Sequence, residues 1–299
     1  MNHDLKDTYV IGDVHGCIYT LKKLIKKIPK NARIIFVGDL CDKGNFSKDV
    51  FEFVINNNYE CVKGNHEHLF EKYICDSIQK NKHSPWSSDK RYGGVQCIKS
   101  YHKHQHLIQK HLDWIQKLPT YIEVDQYFIT HGFGLEFYDI KDEASSYKKL
   151  LLHRIYPDTI EPHINHNIIN IFGHCPFDEV KQGKKYFCID TGCATFGKLT
   201  AIQLQTHRII EEDMDERDSN FRLKELHLKD IDTDRFTAES FKNITLKKGC
   251  KYNSYDIISN DILMYALKTF PKEAKQEIHR MKEDGVIFIK QADKVLSEL

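Results

Sequence analysis

Aspartate, histidine and asparagine side chains recur at the ends of short apolar runs in the first 67 residues of the chain. The runs at residues 9–11, 34–37 and 61–63 lead into Gly-Asp-Val-His-Gly, Gly-Asp-Leu-Cys-Asp-Lys-Gly and Gly-Asn-His-Glu. The first two clusters precede segments whose apolar residues have helical spacing, which predicts strand–loop–helix units. Because α/β sheets gather functional groups at the carboxyl ends of their strands, we predict one shared site there.

Two later apolar runs end in the same way, at residues 127–130 before His-Gly and at residues 168–172 before Gly-His. The candidate ligands are then Asp13, His15, Asp39, Asn65, His131 and His174. Carboxylate, imidazole and amide oxygen together suit a borderline divalent ion such as Mn²⁺, Fe²⁺ or Zn²⁺. Six ligands are too many for one tetrahedral Zn²⁺ and suit two ions that share a bridging ligand.

In this order the five motifs resemble those of the calcineurin-like metallophosphoesterases. Within that superfamily they resemble most the phosphoprotein phosphatase branch, the serine/threonine protein phosphatases, in the short form of bacteria and phages. The resemblance covers residues 8–204, about two thirds of the chain. It implies an α/β (α+β) fold in which two mixed β-sheets pack as a sandwich flanked by helices, with a bimetal centre at one edge.

The resemblance also implies a role for each motif residue. Asp13 and His15 would bind the first ion, Asp39 would bridge, and Asn65, His131 and His174 would complete the second. His66 would be the general acid, with Asp42 holding its imidazolium form and orientation. Two ions about 3.5–4 Å apart lower the pKa of a shared water, so that hydroxide can attack phosphorus in line near neutral pH.

Two cations are predicted to hold the phosphoryl oxygens, Lys43 and Arg154. Lys43 stands where the family usually has Arg, and it lacks the planar fork that grips phosphate with two hydrogen bonds, so we expect weaker binding or an altered preference among phosphoesters. Arg154 resembles the arginine that bacterial members carry after an apolar stretch, although His153 replaces the usual Trp. Lys63 also falls where many relatives have Arg, with a solvated strand-end charge as the alternative.

The sequence divides into a predicted catalytic domain at residues 1–210 and a C-terminal appendage at residues 211–299. The acidic run at residues 211–218 predicts a linker or an exposed turn. Beyond it, apolar spacing predicts a helix within residues 256–270, a second helix from Pro271 through Met281, and a strand at residues 286–289. The resemblance assigns no role to this appendage.

Composition is that of a cytoplasmic enzyme. The net charge of +1 over 299 residues gives no strong field for nucleic acid or an anionic membrane. No apolar run approaches the roughly 18–20 residues that span a bilayer, and the N-terminus lacks a signal-peptide core. The nine cysteines include no Cys-x-x-Cys pair, which predicts reduced, mostly buried thiols. None begins a Cys-x5-Arg motif, which excludes a cysteine-nucleophile phosphatase.

The helical stretch at residues 69–118 is interrupted by Ser-Pro-Trp-Ser-Ser. Trp86, Arg91 and Tyr92 near this break are candidates to line a substrate cleft, and a solvent-facing helical hairpin is the alternative. Histidines on and near this stretch scatter around a helix circumference, which predicts solvated positions for His102, His104, His106 and His111, and likewise for His163 and His166. Asp190, in a turn between two apolar runs, is predicted to be structural.

These observations predict a metal-dependent phosphomonoesterase that acts on phosphoserine or phosphothreonine, with phosphotyrosine as a further substrate, without a covalent intermediate. The family association favours Mn²⁺ as the pair of ions. The alternative enzyme is a dinucleoside tetraphosphate hydrolase of the related bacterial branch; Asp42 and Glu67 favour the phosphatase, because that branch commonly has other residues there. A third alternative is a weakly active module that binds phosphoproteins. Oligomeric state and physiological substrate stay open.

Overall fold

The computed structural model describes residues 7–80, 82–88, 92–155, 167–177, 179–219, 228–245 and 260–283. The strands within these ranges are β1 (Thr8–Ile11), β2 (Arg33–Phe36), β3 (Glu60–Cys61), β4 (Tyr121–Val124), β5 (Tyr127–Thr130), β6 (Ile169–Phe172), β7 (Lys181–Gln182), β8 (Tyr186–Cys188), β9 (Lys198–Gln203) and β10 (Ile209–Asp213). The α-helices are α1 (Ile18–Lys26), α2 (Ser47–Asn56), α3 (Asn65–Gln79), α4 (Pro85–Ser88), α5 (Gly94–Tyr101), α6 (Ile108–Ile115), α7 (Tyr147–Leu152), α8 (Cys193–Phe196), α9 (Ala238–Thr245), α10 (Asn260–Thr269) and α11 (Pro271–Glu283).

The strands form two mixed sheets of five strands each. The first has the order β10-β9-β1-β2-β3, in which β1, β2 and β3 are parallel and β9 and β10 are antiparallel additions. The second has the order β4-β5-β6-β8-β7, with β5, β6 and β8 parallel. Each sheet therefore gathers the carboxyl ends of three parallel strands at one edge.

Alternation along the strands assigns the two faces of the first sheet. Val10 and Ile35 belong to a buried cluster that also contains Ile129 and Ile171 of the second sheet, so the two sheets pack face to face. The neighbouring Ile11 and Phe36 point to the opposite face and pack against helices. The predicted sandwich of two mixed sheets flanked by helices is confirmed.

Helices α1, α2, α3, α5 and α6 cover the outer face of the first sheet. Their buried contributions include Leu21, Val50, Phe70, Cys97 and Ile115, all in one cluster with that face of the sheet. Of the helices in the described part of the chain, none has the length and apolarity that crossing a bilayer requires.

The chain divides into two compact units, Met1–Phe221 and Arg222–Leu299. In the second unit, α10 and α11 form as the spacing predicts, and with α9 they bury a small apolar core. That core contains Phe236, Phe241, Ile262, Leu263, Ala266, Leu267, Ala274 and Ile278. The strand predicted at residues 286–289 lies outside the described residues, and the functional division at residue 210 stays a prediction.

Residues 211–218 do not form a linker, whereas the alternative prediction, an exposed turn, is found at Glu216 and Arg217. Residues 211–213 belong to β10, which pairs antiparallel with β9, and Glu212 forms a 2.7 Å ion pair with Lys27. Asp218 is fully buried and its carboxylate accepts hydrogen bonds from the backbone N–H and the hydroxyl of Thr20. Residues 211–218 are held in place because basic and hydroxyl side chains of α1 and its C-cap, Lys27 and Thr20 among them, face them.

Gly38 sits where the loop after β2 passes the loop after β3. Its φ is +93°, and a Cβ there would lie 2.6 Å from the backbone nitrogen of Gly64 and 2.8 Å from its Cα. Gly197 has nearly the same φ, +94°, but its nearest neighbour would be the Cβ of Met214 at 4.0 Å. The two glycines therefore share a conformational requirement, and only Gly38 also has a steric one.

We expect Gly38→Ala to lower the free energy of unfolding by roughly 2–4 kcal/mol, from the left-handed backbone and the forced backbone contact together. Gly197→Ala carries only the backbone penalty, about 1 kcal/mol. Urea unfolding followed by tryptophan fluorescence measures both, since the chain's two tryptophans, Trp86 and Trp114, lie in the first compact unit. Equal losses in the two variants would contradict the close approach at Gly38.

Candidate metal centre

The structure brings all six predicted ligands together at the edge where the parallel strands of both sheets end. Asp13 and His15 follow β1, Asp39 follows β2, Asn65 begins α3 after β3, and His131 and His174 follow β5 and β6. The Nε2 of His15 lies 3.9 Å from Asp13 Oδ2 and 3.7 Å from Asp39 Oδ2. The Nε2 of His131 lies 3.3 Å from Asp39 Oδ1 and 2.9 Å from Asn65 Oδ1, and the backbone N–H of His174 donates to Asp13.

Asp39 is common to two groups of potential ligands. Its carboxylate lies within 4.8 Å of nitrogen atoms of His15 and His66 in one group, and of His131 and His174 in the other. These side chains are all buried. A carboxylate shared in this way has the placement that a bridging ligand needs, which is the role predicted for Asp39.

Several of these residues have backbone conformations that L-amino acids rarely adopt. The φ angles are +46° at His15, +51° at Asp39 and +64° at His174, and Asp42 and Lys43 are also positive. Such conformations cost about 1–3 kcal/mol each and persist only where the surroundings impose them. Here the loops after β1 and β2 are tied together, because the N–H of His15 donates to Asp39 and the N–H of Gly44 donates to His15.

Glu67 supplies the strongest of these constraints. Its fully buried carboxylate accepts hydrogen bonds from the N–H groups of Asp39, Leu40 and Gly64 at 2.8, 2.7 and 2.9 Å. In the sequence, Glu67 only distinguishes two branches of the family that the motifs resemble. Its position, third in a helix that follows a glycine N-cap, is a capping signal that indicates a contact to Gly64 but not to Asp39.

The imidazoles are oriented for coordination through Nε2. The Nδ1–H of His15 donates to the carbonyl of Cys41, and that of His131 donates to the carbonyl of Val37, both at 2.8 Å. Burial, followed by the charge of Lys43, holds the pKa of His15 well below its usual range. A neutral ring with one nitrogen fixed by a carbonyl leaves the other lone pair available to a metal ion.

The carboxylates need a positive partner. Burial raises the pKa of Asp13 well above its usual range, and the carboxylates of Asp190 and Asp39 raise it further. Burial acts in the same direction on Asp39, but the neighbouring histidines outweigh it and its pKa falls well below the usual range. Buried carboxylates in such number are stable only when they are paired or coordinate metals, so the donor set fits two divalent ions of the kind predicted.

Lys43 and Arg154 each lie near one of the predicted ligands. The Nζ of Lys43 is 2.7 Å from the Nε2 of His15, so the ammonium lies against the ligands themselves. Arg154 is exposed, and its charge is the second cause, after burial, of the lowered pKa of His174. Contact of either residue with phosphate stays a prediction.

His66 forms a buried chain of hydrogen bonds with Asp42 and Trp86. Its Nδ1 lies 2.6 Å from Asp42 Oδ2, and its Nε2 lies 3.7 Å from Asp39 Oδ2. The indole N–H of Trp86 donates to the same oxygen of Asp42 at 2.7 Å. Trp86 is therefore fully buried and supports Asp42 from behind; it neither lines a cleft nor lies on a solvent-facing hairpin, the two alternatives that the sequence left open.

The remaining histidines, Asp190 and Lys63 lie in different environments. The prediction of a solvated His111 is wrong, because it is buried with its ring nitrogens against the hydroxyl of Tyr101 and the carboxylate of Glu52. His102, His104 and His106 are exposed as predicted, whereas Arg91, His163 and His166 lie outside the described residues. Asp190 accepts a hydrogen bond from the N–H of Gly192. Lys63 is buried and pairs with Glu71 at 2.9 Å, so the solvated alternative is excluded.

The sequence model of the family described as calcineurin-like phosphoesterase matches residues 7–203. Among curated relatives, "Serine/threonine-protein phosphatase 2" of Escherichia coli K12 is 27% identical over 223 residues, which are 68% of this chain and 95% of the relative. "Bis(5'-nucleosyl)-tetraphosphatase PrpE [asymmetrical]" of Oceanobacillus iheyensis is 25% identical over 220 residues, 64% of this chain and 86% of the relative.

The fold is also found among solved structures. A crystal structure assigned provisionally as a diadenosine tetraphosphatase matches with a TM-score of 0.52 and 19% sequence identity, over 70% of this chain and 94% of that chain. At this identity the likeness concerns the fold alone.

Replacing Trp86 tests its support of Asp42. We expect Trp86→Phe to lower kcat about tenfold for a phosphoester whose leaving group needs a proton, the equivalent of roughly 1.5 kcal/mol for one hydrogen bond to a charged group, with KM nearly unchanged. Steady-state kinetics with Mn²⁺ measure the two constants separately. Trp114→Phe is the matched control, because Trp114 packs against Phe51 and has no contact with Asp42. A higher KM with unchanged kcat would contradict a positioning role.

Proposed function

Since this chain belongs to the calcineurin-like phosphoesterase family, and is therefore a metallophosphoesterase, we propose that it hydrolyses phosphoserine and phosphothreonine monoesters. The observation that carries the proposal is the contact between His66 and Asp42, at 2.6 Å and buried from solvent. Phosphotyrosine is a further substrate of the same chemistry.

Hydrolysis of a phosphoserine ester expels an alkoxide, which leaves readily only if it receives a proton in the transition state. A histidine can deliver that proton when a carboxylate on the other ring nitrogen orients the ring and stabilises the imidazolium. Asp42 has this placement, and Trp86 fixes the same carboxylate oxygen. Cleavage of a nucleotide anhydride expels a nucleoside phosphate, a weak base that departs without being protonated. The buried pair therefore favours an ester with a poor leaving group.

Asp13, His15 and Asp39 would hold one divalent ion, and Asp39, Asn65, His131 and His174 would hold the other. Two ions, when bound, supply charge neutralisation at the phosphoryl oxygens and a lowered pKa for a water molecule. We propose Mn²⁺; the nitrogen and oxygen ligands also accept Fe²⁺ and Zn²⁺. The chain's own part is to orient these donors through Glu67 and the carbonyl groups of Cys41 and Val37.

Two cations of the chain are proposed to contact the phosphoryl oxygens. Lys43 lies beside His15, and Arg154 lies close enough to His174 to lower its pKa. As a point charge, Lys43 attracts phosphate without the paired hydrogen bonds that an arginine offers, so Arg154 supplies the directional contact.

A dinucleoside tetraphosphatase is the second candidate. It is supported by relatives named bis(5'-nucleosyl)-tetraphosphatase, which match this chain about as well as those named protein phosphatase. Anhydride hydrolysis would use the same metal ligands. Because its leaving group needs no proton, anhydride hydrolysis would not require the contact between His66 and Asp42.

The proposed substrate is a phosphoprotein or a small phosphoester, met in the cytoplasm. We propose no nucleic-acid or membrane partner, in keeping with the net charge of +1. The number of chains in the working enzyme is left open.

The leaving-group argument predicts an unequal effect of His66→Asn. We expect turnover of a phosphoserine peptide to fall about 10²–10⁴-fold, the usual contribution of a general acid. Turnover of p-nitrophenyl phosphate, whose leaving group needs no proton, should fall by less than about tenfold. Initial rates with Mn²⁺ on these substrates and on diadenosine tetraphosphate measure both effects.

His104→Asn, at an exposed position, is the matched control and should change none of the rates. Asp39→Asn should abolish turnover of every substrate, because it removes the shared carboxylate. Equal losses of turnover on the phosphoserine peptide and on p-nitrophenyl phosphate would contradict the role of His66 as general acid. Preferential cleavage of diadenosine tetraphosphate by the unaltered enzyme would favour the second candidate, and absence of metal-dependent turnover on all three substrates would reject both.

A further inference from the structure

A third group of potential metal ligands includes Asp42, the partner of His66. It consists of Cys41, Asp42 and Cys97, and all three side chains are fully buried. Their ligand atoms lie within 4.8 Å of one another. Cys41 and Asp42 are adjacent in the loop after β2, and Cys97 comes from α5, which packs over that loop. The predicted bimetal centre uses neither thiol.

The two oxygens of Asp42 have different surroundings. Oδ2 accepts hydrogen bonds from Trp86 and His66, whereas Oδ1 is buried and has no partner among the described residues. A buried carboxylate oxygen without a partner is costly, typically by about 1–3 kcal/mol or more when the group is charged. Such an atom can take a partner from outside the chain, either a water molecule or an ion.

The two thiols lie next to each other and are fully buried. Burial is the largest cause that raises the pKa of both, and the two sulfur atoms share a hydrogen bond. The hydroxyl of Ser47 lies beside them, where it accepts the N–H of Asp42 at 3.0 Å and hydrogen-bonds to Cys97. The cluster thus offers two sulfurs, one carboxylate oxygen and one neutral oxygen.

We propose that Cys41, Cys97 and Asp42 form a third cation site, which takes a thiophilic divalent ion such as Zn²⁺ or Cd²⁺. Two sulfurs with one or two oxygens are a tetrahedral set for such ions, and hard ions such as Mg²⁺ or Mn²⁺ do not select it. As the ion binds, each thiol releases its proton to solvent. The ion then meets two thiolates and one carboxylate, and Oδ1 gains the partner that it lacks.

Occupancy of this site has a consequence for catalysis, which rests on the proposed function. Asp42 would share its charge between the ion at Oδ1 and His66 at Oδ2, so its hold on the imidazolium weakens. A thiophilic ion is therefore an inhibitor that acts from behind the general acid. Turnover of a phosphoserine peptide should fall by at least about tenfold, within what a general acid contributes.

The test is a Cd²⁺ titration of the Mn²⁺-loaded full chain, followed by the ultraviolet charge-transfer band of thiolate bound to Cd²⁺. Cd²⁺ that enters the bimetal centre gives no such band, because that centre contains no cysteine. We compare Cys97→Ala with Cys193→Ala. Cys193 is equally buried and shares a hydrogen bond with another thiol, Cys17, but the described part of the chain places no third metal ligand beside this pair.

The unaltered protein and Cys193→Ala should show the band and bind one more equivalent of Cd²⁺ than Cys97→Ala, which should lose the band. Persistence of the full band in Cys97→Ala, or its absence from the unaltered protein at saturating Cd²⁺, would overturn the site. If Cys97→Ala does not fold, X-ray absorption at the cadmium edge of the unaltered protein tests the site instead. We then expect Cd²⁺ to be bound to two sulfur atoms.

The binding readout does not depend on turnover. A normal band with no hydrolysis of any phosphoester would reject the proposed function and leave the site intact. Normal hydrolysis with no band would reject the site alone. Inhibition by Cd²⁺ that is unchanged in Cys97→Ala would assign the inhibition to the bimetal centre and contradict the catalytic consequence proposed here.

Discussion

The buried carboxylate of Glu67 holds the loop after β2 against the start of α3, and the metal centre depends on that contact. Its three hydrogen bonds fix the backbone of Asp39 and Leu40 and the N-cap of the helix that carries Asn65 and His66. With its backbone held in the left-handed region, Asp39 presents one carboxylate to both groups of histidines. The N–H of His66 in turn donates to that carboxylate, so ligand, acid and helix are positioned as one unit.

The second constraint is electrostatic. Asp13, Asp39 and Asp190 are buried at the same edge, and their mutual repulsion and loss of hydration disfavour folding unless positive charge is present. The histidines around Asp39 and the ammonium of Lys43 supply part of this positive charge, since they lower the pKa of Asp39 and of Asp13 respectively. Divalent ions supply the rest, which couples metal binding to the stability of the loops that hold the ligands. The buried carboxylates are thus the reason both that the site can bind metal ions and that its loops need them for stability.

Asp42 connects this centre to the helical layer outside the first sheet. One of its oxygens, Oδ2, contacts the proposed acid and accepts a hydrogen bond from Trp86, and the other, Oδ1, is buried with no hydrogen-bond partner among the described residues. The catalytic side chains are therefore not isolated on loops, because α4 and α5 reach them through this one carboxylate. The proposed sensitivity of Asp42 to a thiophilic ion follows from the same geometry that places this carboxylate against His66.

Local sequence determined the family, the sandwich of two sheets and the grouping of Asp13, His15, Asp39, Asn65, His131 and His174. Each of these residues directly follows an apolar run or begins the next helix, and the carboxyl ends of parallel strands meet at one edge. Only the tertiary structure decided the contact between Trp86 and Asp42, which are 44 residues apart in the sequence. The same holds for the three N–H groups that donate to Glu67, for the proximity of Cys41 and Cys97, and for the burial of His111. These contacts join segments whose local patterns are independent of each other, so they exist only once the helices have packed over the loops.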